Sequence, residues 1–259
     1  MTLPETDLVT FLIVCPLVGL AGFVDAIAGG GGFISLPAYL ISGIPPINAI
    51  ATNKISSAMG TTLATVRYGR MGYINVRNTI PAAALALVGS WLGAMIAMRL
   101  SDDFIRIAML VLLPVMAFYV LRSKRLSGEE GSEYPPKKTM LITMAVAFPI
   151  GIYDGFYGPG TGTLLMTLLV GAAYYRLNNA AGTTKVINLS TNIAALATYL
   201  FSGKTLFVLG VTAGLFNIAG AYLGTKFFSE KGISIAKPMI IIVLCIFFVK
   251  VIGELVGIF

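Results

Sequence analysis

Ten apolar runs occupy most of this chain, near residues 8–28, 31–43, 47–68, 78–99, 103–121, 139–157, 161–173, 182–201, 205–228 and 235–257. Most are long enough, at about 20 residues, to cross the hydrocarbon of a bilayer as a helix. A segment in lipid must satisfy its own backbone, which leaves helices and closed barrels. Barrel strands alternate apolar and polar over about 10 residues, and these runs do not. Only 11% of residues are charged and 57% are hydrophobic, against about 25% charged in a soluble domain. The chain is therefore read as an all-α polytopic membrane protein.

The runs repeat. Gly22-Phe23-Val24-Asp25 corresponds to Gly151-Ile152-Tyr153-Asp154, and each is followed by a glycine-rich break: Gly29 to Gly32 in one half, Gly158-Pro159-Gly160-Thr161-Gly162 in the other. Ala51-Thr52-Asn53-Lys54 then corresponds to Gly182-Thr183-Thr184-Lys185, and Trp91-Leu92-Gly93 to Tyr222-Leu223-Gly224. One register held over half the length marks an internal duplication. The expected organisation is an N-terminal repeat over 1–121, a polar cytoplasmic linker over 122–138, and a C-terminal repeat over 139–259. Each repeat is expected to hold a glycine-broken helix or re-entrant hairpin plus three transmembrane helices.

Charge orients the halves. If the halves were parallel, the connections would divide the basic residues nine against six. If each half has odd parity, the division becomes twelve against three, with only Arg99, Arg106 and Lys204 on the poorer side. Cytoplasmic loops collect Lys and Arg, so inverted repeats are expected, with both termini outside and the linker inside. The first run lacks a preceding Lys or Arg and carries Glu5 and Asp7. It is read as retained, because a signal peptide has a basic leading region.

The net charge of +7 is assigned to topology and anionic lipid. Nucleic-acid binding is set aside, since no basic patch is interleaved with stacking aromatics. Histidine is absent, and Cys15 and Cys245 lie far apart in apolar runs, so neither a metal centre nor a cofactor is expected. No nucleotide-binding loop is present, because Gly203-Lys204-Thr205 lacks the preceding glycine spacing.

Four charges stand at matched places in the runs: Asp25 with Asp154, and Lys54 with Lys185. Burying an ionisable side chain in a membrane costs about 2.5–3.5 kcal/mol or more, so such residues serve either local pairing or function. The breaks expose backbone N–H groups at the start of a short helix, where anions are favoured. Short, glycine-interrupted segments in corresponding halves point to a transporter's site. The expected site holds a small anion between the breaks, near midplane, on Gly30, Gly31, Gly32, Asn53, Lys54, Gly160, Thr161, Gly162, Thr184 and Lys185. Asp25 and Asp154 are expected to repel an anion unless each is paired or protonated, which would couple protons to the anion. Two other readings stay open. The carboxylates could bind sodium or another cation in a channel or carrier, or the chain could be an intramembrane enzyme, which the symmetric placement of Asp25 and Asp154 suits less well.

The stretch Gly22 to Gly32, then Pro37, then Ala51-Thr52-Asn53-Lys54, with Gly158 to Gly162 and Ala181 to Lys185 in the second half, resembles the sulfite exporter TauE/SafE family of membrane permeases. The resemblance covers nearly the whole chain. It implies a bacterial or archaeal plasma-membrane transporter, not an enzyme, for sulfite, thiosulfate or a small organosulfonate. Substrate, direction, coupling ion and oligomeric state stay open. Thr184 stands where the first half has Asn53, so the halves need not contribute equally.

Overall fold

The computed structural model describes residues 6–122, 135–228, and residues 238, 239, 241, 242, 244–246, 248 and 249 of the last apolar run. All regular structure among the described residues is helical: α1 (Leu8–Ala28), α2 (Gly32–Ile41), α3 (Pro46–Arg70), α4 (Val76–Met98), α5 (Asp102–Arg122), α6 (Pro136–Phe156), α7 (Thr161–Gly171), α8 (Leu177–Phe201) and α9 (Phe207–Lys226). Of the linker expected over 122–138, Arg122 lies in α5 and Pro136 to Lys138 lie in α6. Its residues 123–134 lie outside the described residues.

Among the described residues, four helices, α1, α4, α6 and α9, are long and apolar enough to cross a membrane. The 25-residue α3 and α8 are equally long but more polar, burying Thr52, Asn53, Lys54, Ser56 and Thr61 in one and Thr183, Thr184, Lys185, Asn188, Thr191 and Asn192 in the other. α2 and α7 are short, at 10 and 11 residues. Phe201, Leu8 and Val208 are 91%, 74% and 70% exposed, an outer surface suited to lipid rather than water.

The packing is symmetric under exchange of α1 with α6, α2 with α7, α3 with α8 and α4 with α9. Thus α1 packs on α9 as α6 packs on α4, α3 on α9 as α8 on α4, and α3 meets α8 at the centre. Small residues permit this. On α4 and α9, Gly89, Gly93, Gly220 and Gly224 lie one turn apart in pairs, as do Gly151 and Gly155 on α6. A Cβ at Gly220 would overlap the Gly19 carbonyl, and one at Gly155 the Ser90 carbonyl. In a membrane, where lipid is as apolar as leucine, such close backbone approach supplies the van der Waals contact that holds helices together.

Contact order gives directions. Gly19 and Gly22 of α1 meet Phe216 and Asn217, while Phe23 and Ala26 meet Gly224, so α1 and α9 run parallel. Ile55 and Met59 of α3 meet Gly210 and Gly214 of α9 in the same order. Likewise α6 follows α4, Phe148 and Ile152 meeting Gly89 and Ile152 and Phe156 meeting Gly93. α3 and α8 instead run antiparallel. At the start of α3, Asn48 Nδ2 donates to the Lys204 carbonyl (2.8 Å) and Thr52 Oγ1 accepts from Leu206 N–H (3.0 Å), both past the end of α8. Just past the end of α3, Tyr73 touches Gly182 near the start of α8.

Candidate functional site

Both glycine breaks are true helix interruptions. α1 ends on Gly29 in the left-handed region (φ 72°), and α7 begins on Gly160 (φ 83°), a conformation a Cβ opposes. The breaks meet each other: Gly29 lies on Gly162, Gly32 on Pro159, and Gly160 on the Phe33 ring. Thr163 ties them, its N–H donating to the Gly29 carbonyl (3.2 Å) and its hydroxyl to the Ala28 carbonyl (2.6 Å).

The matched charges pair between halves. Lys54 Nζ donates to Asp154 Oδ2 at 2.9 Å and to the Asp154 carbonyl at 2.6 Å. Lys185 Nζ donates to Asp25 Oδ2 at 2.6 Å and to the Asp25 carbonyl. Each ammonium thus sits in the last turn of α6 or α1, where a helix presents its negative end. The two pairs differ in burial: the side chains of Lys54, Asp154 and Lys185 are 3% exposed, that of Asp25 20%. Gly158 presses on one pair, since a Cβ there would stand 3.0 Å from Asp154 Oδ1 and 3.1 Å from Lys54 Nζ. Gly31 presses on the other side chain, its Cβ position lying 2.6 Å from Asp25 Cβ.

A cavity of about 30 Å³ opens beside these pairs, with room for about two water molecules. Gly31, Gly32, Asn53, Lys54, Thr161 and Gly162 of the expected site line it, as do Asp25 and Asp154. Gly30, Gly160, Thr184 and Lys185 do not. The Gly30 carbonyl accepts from Phe33 N–H (3.1 Å), and Lys185 is turned to Asp25. The Thr184 hydroxyl is buried without a hydrogen-bond partner among the described residues. The N–H groups of Gly31, Gly32 and Gly162 find no acceptor among the described residues, so donors remain at both breaks.

Sequence reasoning missed several lining residues. Ser57 and Thr61 on α3, Asn188 and Asn192 on α8, and Asn217 on α9 all reach the cavity. Asn217 is wedged against Gly22 and Gly60 and donates through Nδ2 to the Val18 carbonyl (3.3 Å). The spacing Thr184, Asn188, Asn192, one turn apart, is a polar stripe in an apolar run and was a readable signal. Two further residues clamp the breaks from behind: Tyr68 Oη donates to the Ala26 carbonyl (2.6 Å) and Tyr199 Oη to the Gly155 carbonyl (2.8 Å). No cluster of metal-ligating side chains occurs among the described residues.

A helical bundle with lipid-suited outer faces, broken helices in matched positions and buried charges at the junction defines a polytopic membrane protein of the transporter class. The family model of the sulfite exporter TauE/SafE matches residues 14–251, and the chain belongs to that family. Similar proteins include a probable membrane transporter protein, ORF9, of a Sinorhizobium species, 36% identical over 91% of this chain and 89% of its own length. One from Haemophilus influenzae is 32% identical over 86% of this chain and 87% of its own. The probable membrane transporter protein YfcA of Escherichia coli is 30% identical over 91% and 87%. No solved structure matches. The chain is thus a membrane transporter of the TauE/SafE family, a multi-pass protein of the cell membrane.

Proposed function

We propose that this chain is a secondary active transporter of a small sulfur-containing anion, such as sulfite, thiosulfate or an organosulfonate, bound between the two glycine breaks. The observation that carries the reading is the set of uncommitted donors there. The N–H groups of Gly31, Gly32 and Gly162 stand at a cavity that is also lined by the amides of Asn53, Asn188, Asn192 and Asn217 and by the paired Lys54, Asp154 and Asp25. Backbone N–H groups at helix starts and side-chain amides suit oxyanion oxygens.

The lysines act in a second way. Each is neutralised by a carboxylate of the other half, so the resting site has no surplus positive charge. Protonation of Asp25 or Asp154 leaves its lysine unpaired, and an anion then supplies the missing negative charge. Proton and anion therefore enter together. Both carboxylates already accept from lysine, which disfavours the alternative of a sodium carrier built on them. An inverted arrangement of the halves accompanies this reading. It is supported by α1, α3 and α9 running opposite to α4, α6 and α8, and by Arg67, Arg70, Arg77, Lys137, Lys138, Arg176 and Lys226 gathering at one end. That end would be cytoplasmic.

Proteoliposomes loaded with a panel of sulfite, thiosulfate, sulfate and a small sulfonate, each with and without a pH gradient, test this. Saturable flux of a sulfur anion, accelerated by the gradient and made insensitive to it in Asp25→Asn, is expected. Flux that requires sodium and ignores every anion would replace this reading with the cation carrier.

A further inference from the structure

A second cavity, about 210 Å³, lies at the basic end of the bundle, where α4, α6 and α8 all begin. Asn75, Asn78, Thr139, Tyr175, Arg176 and Asn179 line it, and no carboxylate is among the described residues that do. The three helices are 23, 21 and 25 residues long, so three positive helix ends converge on one space. Among the described residues, no side chain caps the first N–H groups of α6 or α8.

Asn78 gives the independent sign of a ligand. It is 6% exposed, its backbone N–H is taken by Asn75 Oδ1 (3.4 Å), and its side-chain amide lines the cavity with no hydrogen bond among the described residues. An amide that faces the cavity with no protein partner can donate to an acceptor bound there. Tyr175, 8% exposed, sets its phenol oxygen 3.3 Å from the Thr143 hydroxyl, whose proton goes to the Thr139 carbonyl (2.7 Å). The duplication does not require any of this. At the equivalent place, where α9, α1 and α3 begin, Leu206, Leu209 and Pro45 stand for Asn75, Asn78 and Arg176, and both leucines are buried.

We infer that this cavity is a second binding site, for a small oxyanion, present on the basic end only. Its lining carries the amides of Asn75, Asn78 and Asn179 and the positive charge of Arg176, a set that fits the oxygens of sulfate-like anions or of a phospholipid phosphate. The inference rests on this cavity's own chemistry and stands whether or not the junction between the breaks carries an anion.

The test is equilibrium binding of radiolabelled sulfate to the full chain in nanodiscs, one set of phosphatidylcholine alone and one containing phosphatidylglycerol. In phosphatidylcholine, Asn78→Asp and Arg176→Gln are expected each to weaken one class of sulfate sites tenfold or more. Arg176 is exposed, so its variant keeps the fold. If that class persists in phosphatidylglycerol, the occupant is a dissolved anion; if phosphatidylglycerol removes it, the occupant is a lipid headgroup. Should the junction bind no anion, the wild type shows one class of sites instead of two, and that class still depends on Asn78. Isotherms of both variants that match the wild type, or no sulfate binding to the wild type in phosphatidylcholine, overturn the inference.

Discussion

Tyr68 and Tyr199 occupy equivalent positions, 131 residues apart, and each donates to a carbonyl in the last turn of the broken helix in its own half. Lys54 and Lys185 likewise make the same bonds, each to the other half. The cavity side chains are unlike. Asn53, Ser57 and Thr61 of α3 stand opposite Thr184, Asn188 and Asn192 of α8, and Asn217 of α9 corresponds to Ala86 of α4. The halves thus share what holds the junction together and differ in what lines it. A duplicated scaffold needs matching tethers for its two packings to be equal, whereas a ligand occupies one place and selects donors there only.

The ion pairs should give the largest effect. Removing one partner of a buried pair leaves a bare charge and costs about 3–5 kcal/mol. Lys54→Met should approach that, because Asp154 is 3% exposed, and Lys185→Met should cost less, because Asp25 is 20% exposed. Thermal unfolding in detergent measures both, and adding Asp154→Asn to Lys54→Met should restore much of the loss. Equal losses would break the comparison. Next comes helix packing. Gly155→Ala should cost about 1–3 kcal/mol by overpacking, because its Cβ would overlap the Ser90 carbonyl. The equivalent residue in the first half is already Ala26, and Ala26→Gly should cost only about 1 kcal/mol by helix propensity. Smallest are Tyr68→Phe and Tyr199→Phe, each losing one hydrogen bond, about 1 kcal/mol. Their costs should be equal, and a marked difference would show that the two clamps are not equivalent.

The helices were legible because lipid leaves few choices: the apolar runs predicted at 8–28 and 161–173 became α1 at Leu8–Ala28 and α7 at Thr161–Gly171. The breaks were legible because glycine runs oppose a helix. Matched positions exposed Asp25, Lys54, Asp154 and Lys185. What the register could not say is that Lys54 reaches Asp154 rather than Asp25, since partners 100 residues apart are set by how the halves dock. The same criterion hid Asn188, Asn192 and Asn217, because a search for matched residues discards positions where the repeats disagree. The unequal positions were the informative ones for the cavity. Asn78 was missed for a different reason: it lies at a helix start, where an asparagine is ordinary, and only the convergence of α4, α6 and α8 encloses it.

The most direct measurement is uptake of labelled thiosulfate or sulfite into proteoliposomes by the wild type, Asn188→Leu and Ser57→Ala. Anion binding in the cavity between the breaks predicts saturable uptake by the wild type. It predicts kcat/KM lowered about tenfold or more in Asn188→Leu, which loses an amide that lines the cavity, and about twofold in Ser57→Ala, its equivalent in the other half. Uptake by Asn188→Leu indistinguishable from the wild type, in protein shown to be folded, would contradict it.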